Sequence, residues 1–291
     1  MKFLTMAEIL QKCLGQGWAV GAYDTCNQEI TQAIVDAAAA DQAPVIIMIY
    51  PHHTPLAEWP TRVREIEAEV TRAQIPAALV LDHAKTLDQI SYALELGFSG
   101  VMIDASLAPL EQNIALTRQA VDLAHAKGVS VEAELGHVGQ GDEISSEDQQ
   151  QAHLTRVDEA ERFVHETGVD ALAVSIGTLH GLYRGKPHLD FERLSQLNAA
   201  CRIPLVLHGG SDTPDQDLRR AIERGITKIN IWTDVRIPYL RALKESLESP
   251  IETTEVHVVF SAARTAAINV IRQKNRLLGS VGKASQFKKQ L

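Results

Sequence analysis

The chain of 291 residues is 45% hydrophobic and 22% charged, a balance that supports a large buried core and excludes a disordered protein. Its formal net charge of -9, without a long run of lysine or arginine, excludes general electrostatic attraction to nucleic acid or to an anionic membrane surface. Three scattered cysteines, Cys13, Cys26 and Cys201, form neither a disulfide framework nor a zinc-binding pair, which indicates a reducing compartment.

The N-terminus reaches Glu8 before an apolar run forms, and no apolar stretch is long enough to span a bilayer. We therefore expect a cytoplasmic protein with no membrane or nucleic-acid partner.

Short, β-branched apolar runs alternate along the chain with segments of helical periodicity. Their hydrophobicity is continuous rather than alternating, which is typical of parallel strands buried on both faces. Four glycines are placed as C-terminal caps of the helical segments, namely Gly97, Gly128, Gly168 and Gly225. The predicted strands are residues 18–23, 45–50, 77–81, 101–103, 130–135, 171–176, 204–207 and 228–231.

Eight such units are the number that closes a (β/α)8 TIM barrel. A doubly wound sheet fits less well, because no GxGxxG motif opens a helix after a strand. Residues 136–154 interrupt the pattern with a long polar stretch, which we interpret as a mobile active-site loop. Segments 237–247 and 260–278 add helices after the eighth strand. The sequence thus predicts an α/β protein with a single (β/α)8 barrel domain over residues 1–291 and extra C-terminal helices.

Three histidines, His83, His180 and His208, follow three different predicted strands. The active site of such a barrel lies at the C-terminal ends of its strands, so these side chains are expected to converge. Three histidines are the ligand set of a catalytic zinc ion that keeps one position open. Each alone could instead be a partly buried side chain bonded to the backbone. The other histidines of the barrel region are expected at the surface or around the ligands: His52, His53, His137, His153 and His188.

Carboxylates accompany these histidines at the same rim. Asp82 directly precedes His83, and both side chains can reach the mouth if the strand is already ending there. A carboxylate beside a polarised carbonyl is suited to general acid/base catalysis, although Asp82 could instead orient a histidine ligand. Asp104 and Glu134 could offer oxygen ligands to a second or displaced metal position, or form salt bridges.

A glycine-rich turn follows His208 and opens a predicted helix near Pro214. Backbone N–H groups in such a turn can cradle an anion, and phosphate sites in these barrels often use the loops after strands seven and eight. An ordinary turn would have the same composition. The residues that could form the cradle are Gly181, Gly209, Gly210, Ser211, Asn230 and Thr233.

No lysine stands where a Schiff base would form. Lys228 is expected at the start of its strand, at the opposite rim, and Lys85 comes after the turn at His83. Activation of a carbonyl is therefore assigned to a metal ion.

The chain resembles the class II, metal-dependent ketose-bisphosphate aldolases, the family of fructose- and tagatose-bisphosphate aldolases. The segments that carry this resemblance are 81–83, 131–136, 176–183, 207–211, 228–231 and 279–284. The resemblance implies zinc on His83, His180 and His208, with Asp82 as the acid/base. It also implies dihydroxyacetone phosphate held by Gly181, the 209–211 turn and the segment Asn230, Ile231, Trp232 and Thr233.

Further roles follow from the same resemblance. Glu134 would belong to the metal environment, and Asp142 or Glu143, on the loop after strand five, would shuttle the substrate proton. A monovalent cation is allowed beside Zn²⁺, and a homo-oligomer, dimer or tetramer, is implied.

We therefore expect a zinc-dependent aldolase that cleaves a ketose phosphate to dihydroxyacetone phosphate and an aldehyde. The alternatives are the same chemistry on an unusual sugar-acid or deoxy-sugar phosphate, and a non-catalytic sugar-phosphate-binding or assembly subunit. Asp24 stands where the resembling enzymes usually have asparagine, and Trp232 replaces a small or acidic residue. A tryptophan closing on the substrate, with no cationic donor visible nearby, predicts that fructose 1,6-bisphosphate is a poor substrate. Trp232 could also turn outward and leave the pocket unchanged.

Overall fold

Eight parallel strands form the centre of the protein in a computed structural model that describes residues 3–139, 153–183 and 187–287. Each strand pairs with its neighbours in sequence, and the first also pairs with the last, so the sheet closes on itself. This closed parallel barrel confirms the predicted α/β TIM-barrel class. The strands are β1 (Val20–Asp24), β2 (Val45–Ile49), β3 (Ala77–Ala84), β4 (Gly100–Ile103), β5 (Ser130–Leu135), β6 (Ala171–Val174), β7 (Leu205–Leu207) and β8 (Ile226–Ile231).

Helices surround this barrel, and most of them connect one strand to the next. Two of the predicted glycine caps, Gly97 and Gly168, end their helices in the left-handed conformation. Gly128 lies two residues beyond the cap of its helix, Ala126, and Gly225 lies one residue beyond the cap of its helix, Arg224. The α-helices of the described residues are α1 (Met6–Cys13), α2 (Gln28–Asp41), α3 (Trp59–Ala73), α4 (Leu87–Leu96), α5 (Leu110–His125), α6 (Val157–Thr167), α7 (Phe191–Cys201), α8 (Asp215–Glu223), α9 (Thr233–Ser246) and α10 (Val256–Leu278).

The N-terminal end of the barrel is closed by α1. Met6, Ile9 and Leu10 of this helix are fully buried and pack with strand residues such as Val20 and Met48. Alternate strand residues point outward and form a second apolar layer with the surrounding helices. Hydrophobic packing therefore seals this end of the barrel.

The long helix α10 fastens the C-terminal region to the start of the chain. It packs against α2 and α9. The buried Asp41 at the end of α2 accepts hydrogen bonds from Arg272 Nε at 2.9 Å and Asn275 Nδ2 at 3.1 Å. Backbone N–H groups of Gly282 and Ala284 add bonds to the carbonyls of residues 41 and 42. No described helix combines the length and apolar character needed to cross a membrane.

Candidate active site

Asp82 and His83 both face the barrel mouth because of an irregularity in β3. This strand pairs with β4 at Leu81 and again at Ala84, with a shift of register between them, and His83 has a left-handed φ of 47°. A bulge of this kind breaks the usual alternation of side chains. Asp82 Oδ2 consequently lies 3.9 Å from His83 Nε2. β3 therefore runs three residues past its predicted end, and the bulge, rather than a strand end, brings both side chains to the mouth.

The three predicted histidine ligands converge at this mouth. His83 belongs to β3, whereas His180 and His208 follow β6 and β7. Ring nitrogens of all three lie within 4.8 Å of one another, and His208 Nδ1 lies 2.9 Å from His83 Nε2.

The outer nitrogen of each ring is held by a hydrogen-bonding partner. Such partners fix the orientation of a metal-binding imidazole and leave its other nitrogen directed at the ion. The three contacts are His83 Nδ1 with Asp104 Oδ2 at 2.8 Å, His180 Nδ1 with the carbonyl of Val138 at 2.9 Å, and His208 Nε2 with Glu132 Oε1 at 2.8 Å.

The electrostatics of this cluster suit a divalent cation. Burial lowers the pKa of His180 well below its usual value, and the neighbouring His83 and His208 lower it further, so that His180 is neutral as a metal ligand must be. Burial would also lower the pKa of His83, but nearby carboxylates, chiefly Asp82 and Asp104, raise it to about 10. The negative potential that favours a proton on His83 also attracts a metal ion. The histidine set therefore fits the zinc that the sequence predicts.

Asp104 and Glu134, the two predicted oxygen ligands, differ in their surroundings. Asp104 accepts hydrogen bonds from His83, from Lys85 Nζ at 2.6 Å and from Ser106 Oγ at 2.7 Å. Burial would raise the pKa of Asp104, but the bonds from His83 and Lys85 hold it well below its usual range. Its oxygens are thus engaged in orienting His83. Glu134 accepts from the Val138 N–H through Oε1.

The second oxygen of Glu134 is buried and has no hydrogen-bonding partner within the described ranges. It lies 3.8 Å from His83 Nδ1, and His83, Asp104 and Glu134 form a second group with the spacing of metal ligands. Of the two carboxylates, Glu134 is therefore the one with an oxygen available to a cation.

Beneath the histidines, Lys228 and Glu132 form a buried ion pair that the sequence did not predict. β8 begins at Ile226, so Lys228 lies inside the strand and not at the opposite rim. Its side chain is fully buried in the barrel, and Nζ lies 2.8 Å from Glu132 Oε2. Burial would raise the pKa of Glu132, but Lys228 and His208 lower it to about 2, so the group is a carboxylate. Opposite charges within two buried apolar strands are the signal that could have indicated this pair.

The turn after β7 offers only some of the backbone N–H groups that were expected to bind an anion. Gly209 has a φ of +67°, and a Cβ there would lie 2.3 Å from the carbonyl oxygen of Leu179, so glycine is required. The N–H of Gly210, expected to be free, donates to the carbonyl of Asn230 at 3.1 Å. Gly210 therefore supports β8 instead of facing an anion.

Two other backbone groups of this region remain available. The N–H groups of Ser211 and Thr233 have no acceptor among the described residues, and Thr233 is the first residue of α9. The N-terminus of a helix favours negative charge. Ser211 Oγ accepts from the N–H groups of Trp232 and Asp234, both at 3.2 Å, which holds the β7 and β8 loops together.

A cavity of about 510 Å³ opens above the histidines. His208, Glu134 and Gly210 are not among its lining residues. Asp142 and Glu143 lie outside the described residues, as does most of the loop 136–154. The predicted site residues that line the cavity are Asp82, His83, Asp104, His180, Gly181, Gly209, Ser211, Asn230, Ile231, Trp232 and Thr233.

The cavity has further lining residues outside the predicted site set. Trp232 faces the cavity, and its ring lies 5.0 Å from that of His53. The ring of His137 contacts Ser106 Oγ at 3.0 Å, and Ser106 in turn binds Asp104. These further residues are Asp24, Tyr50, His53, Lys85, His137, Val138 and Arg236, and of them Val138 and Arg236 were not expected from the sequence.

Comparison with known proteins adds two findings. The family model described as fructose-bisphosphate aldolase class-II matches residues 4–283. Among solved structures, the YdjI aldolase from Escherichia coli K12 is 32% identical, with a TM-score of 0.86 over 97% of this chain and 99% of that one.

Two other structures share the fold. A candidate fructose-1,6-bisphosphate aldolase from Coccidioides immitis is 29% identical, with a TM-score of 0.86 over 97% of this chain and 98% of that one. The fructose-bisphosphate aldolase from Campylobacter jejuni is 20% identical, with a TM-score of 0.82 over 97% of each chain, a likeness of fold alone.

Proposed function

Because the chain belongs to the class II fructose-bisphosphate aldolase family, we propose that it is a zinc-dependent aldolase that cleaves a ketose phosphate to dihydroxyacetone phosphate and an aldehyde. The observation that carries this proposal is the convergence of His83, His180 and His208 beside the buried carboxylate of Asp82. A zinc ion held by these histidines supplies Lewis-acid polarisation of the ketone carbonyl when bound.

Asp82 is the general base in the direction of cleavage. Its carboxylate lies at the cavity wall, and Oδ1 accepts a hydrogen bond from Asn230 Nδ2 at 3.3 Å. It removes the proton from the hydroxyl at carbon 4, whose oxygen becomes the carbonyl of the aldehyde. The bond between carbons 3 and 4 breaks, and its electron pair passes into the ketone as an enediolate. Return of a proton to carbon 3, for which Asp142 or Glu143 is suited, gives dihydroxyacetone phosphate.

The phosphate of this product is assigned to the loops after β7 and β8. The N–H groups of Ser211 and Thr233, which have no acceptor within the described ranges, support an anion site at the start of α9. Gly181 lies on the same wall of the cavity and leaves room for the backbone to approach the ligand.

The test is a screen of ketose mono- and bisphosphates with release of dihydroxyacetone phosphate as the readout. We expect chelation to abolish cleavage, Zn²⁺ to restore it, and borohydride with substrate to leave the protein unlabelled. Covalent inactivation by borohydride, together with activity that chelators do not reduce, would contradict the proposal.

We also place the protein in the cytoplasm as a dimer or tetramer. Cell fractionation can check its location, and light scattering can check its oligomeric state.

A further inference from the structure

The three groups assigned to the substrate phosphate lie on three separate segments of the chain. Gly181 follows β6, Ser211 follows β7, and Thr233 begins α9. Whether all three reach one phosphate therefore depends on the contacts that hold these segments together. Asp212, the residue after Ser211, bonds to both of the other segments.

Asp212 makes one hydrogen bond to each neighbouring segment. Its Oδ2 accepts from the backbone N–H of Tyr183 at 2.9 Å, two residues after Gly181. Its own N–H donates to Asp234 Oδ1 at 3.0 Å, one residue after Thr233. A single residue of the β7 turn thus connects the loop after β6 to the start of α9.

The Tyr183 end of this connection is coupled to the metal-site loop. Tyr183 Oη accepts from the N–H of Leu179 at 3.0 Å, so the tyrosine folds back over the segment that contains His180 and Gly181. The same oxygen lies 3.1 Å from Thr213 Oγ1. Because both ends of this short segment are bonded to one tyrosine, a shift of the Tyr183 backbone is expected to shift Gly181 as well.

The Asp234 end is anchored to the C-terminal helix. Asp234 Oδ2 forms an ion pair with Lys274 Nζ at 2.7 Å, and Lys274 is a buried residue of α10. The backbone N–H of Asp234 also donates to Ser211 Oγ at 3.2 Å. The carboxylate that accepts from the Asp212 N–H is therefore held in place from two sides.

Asp212 makes these bonds in an unfavourable backbone conformation. Its φ is 58°, in the left-handed region, where a residue with a Cβ has a steric penalty that glycine lacks. Asp212 is exposed, so burial of its side chain does not offset this penalty. Glycine would suit the backbone better, and the side-chain bond that it would lose is the one to Tyr183. Strain of this kind is often found at functional sites.

We propose that Asp212 is a positioning residue of the phosphate site. Its carboxylate holds the loop after β6 at the distance from the β7 turn at which Gly181, Ser211 and Thr233 reach one phosphate. This proposal rests on the aldolase function proposed above. It predicts that the contribution of the Asp212 side chain appears in ligand affinity and not in the stability of the fold.

The experiment compares ligand affinity with fold stability in Asp212→Gly and Asp212→Asn. Calorimetric titration of the zinc-loaded protein with dihydroxyacetone phosphate gives Kd, and urea denaturation gives the unfolding midpoint. Glycine removes the carboxylate, so we expect Kd to rise about three- to tenfold, the scale of one hydrogen bond. Because glycine adopts the left-handed region freely, the midpoint should stay equal or rise. Asparagine keeps an acceptor oxygen and tolerates this backbone, so its Kd should stay within about twofold of wild type.

Gln74→Gly is the matched control for the change in backbone. Gln74 is also an exposed residue in the left-handed region, with a φ of 51°, but it caps α3 and does not line the cavity. Its midpoint should change as in Asp212→Gly, whereas Kd should keep the wild-type value. An unchanged Kd in Asp212→Gly would overturn the proposal. A higher Kd together with a lower midpoint, or an equal loss of affinity in Asp212→Asn, would overturn it as well.

A further measurement separates this proposal from the one on which it rests. Exchange of the carbon-3 hydrogen of dihydroxyacetone phosphate with D₂O reports the aldolase chemistry without an aldehyde. Exchange by the wild type with equal Kd in all variants means that Asp212 is wrongly assigned although the chemistry is present. Binding without exchange contradicts the aldolase function, and the comparison of Kd values still decides the role of Asp212. If the wild type does not bind dihydroxyacetone phosphate, both proposals are wrong.

Discussion

Asp82 and His83 are adjacent in the chain, yet the structure gives them separate tasks at the cavity wall. His83 shares a cluster with His180 and His208, whereas Asp82 is bonded to Asn230. We expect Asp82→Ala to retain zinc and to lose about 10²–10⁴-fold in kcat, the usual contribution of a general acid/base. His208→Ala should lose the metal itself. Steady-state kinetics and metal content of both purified variants provide the check, and equal zinc loss in both would reassign Asp82 to a supporting role.

Glu132 and Lys228 offer a second test at this scale. Glu132→Gln leaves the buried Lys228 without a counter-charge, which typically costs about 3–5 kcal/mol of unfolding free energy. It also removes the charged acceptor of His208, which should weaken zinc binding about 10- to 100-fold. Adding Lys228→Met should restore stability but not zinc affinity. Denaturant unfolding and competition for zinc measure the two effects, and recovery of both in the double variant would contradict this separation of roles.

Individual site residues could be predicted where a histidine or a carboxylate stands at or just after the end of a predicted strand. His83, His180, His208 and Asp82 belong to this class, because each follows or ends an apolar strand of a recognisable barrel. Lys228 and Arg236 do not. Their positions depend on side-chain direction: the Lys228 side chain is buried beside Glu132, and Arg236 returns to the cavity one turn after Trp232.

At the scale of elements, the loop after β7 depends on a close approach between two backbones. Gly209→Ala would place a Cβ 2.3 Å from the carbonyl oxygen of Leu179 and would displace the turn that carries Ser211. We expect KM for the phosphorylated substrate to rise about tenfold or more, because loss of a hydrogen bond to a charged group costs about 1.5–3 kcal/mol.

The matched control for this variant is Gly128→Ala. Gly128 has nearly the same φ, +69°, but no atom would lie within 4 Å of the new Cβ. This control should lose only about 1–2 kcal/mol of stability from the left-handed backbone and should keep its KM. Similar KM values in the two variants would show that the turn does not hold the phosphate.

Strand positions could be predicted more readily than strand ends. Hydrophobic runs located all eight strands, but β3 continues to Ala84 and β6 stops at Val174, before its predicted end at residue 176. Where a strand ends is decided by hydrogen bonds to the neighbouring strand, and the shift between Leu81 and Ala84 has no local signature in the chain. The sequence pattern therefore could not predict the bulge that brings Asp82 and His83 to the mouth.

At the scale of the whole molecule, contacts between distant parts of the chain predict one cooperative unit. Trp18, Trp59 and Trp232 lie near the sealed end, on α3 and at the mouth, respectively. We expect tryptophan fluorescence and far-ultraviolet circular dichroism to report the same denaturant midpoint. Two separate transitions would contradict the single domain predicted for residues 1–291.

The attachment of α10 to α2 can be tested directly. Asp41→Ala removes hydrogen bonds from Arg272 and Asn275 and should lower the unfolding free energy by about 1.5–3 kcal/mol. Asp36→Ala, which breaks an exposed pair with Arg72, should change it by no more than about 1 kcal/mol. Equal effects would mean that Asp41 does not fasten the C-terminal helix.

The ion pair between β5 and β8 also constrains how the sequence can diverge. Replacing Glu132 or Lys228 alone leaves a single charge in the barrel interior, so each of these substitutions by itself gives a strongly destabilised protein. An exchange for two apolar residues would be tolerated by the core, yet no single mutation leads to it without that loss. Because each buried charge needs the other for stability, we expect the pair to be retained in descendants of this protein, including those that have lost catalytic activity.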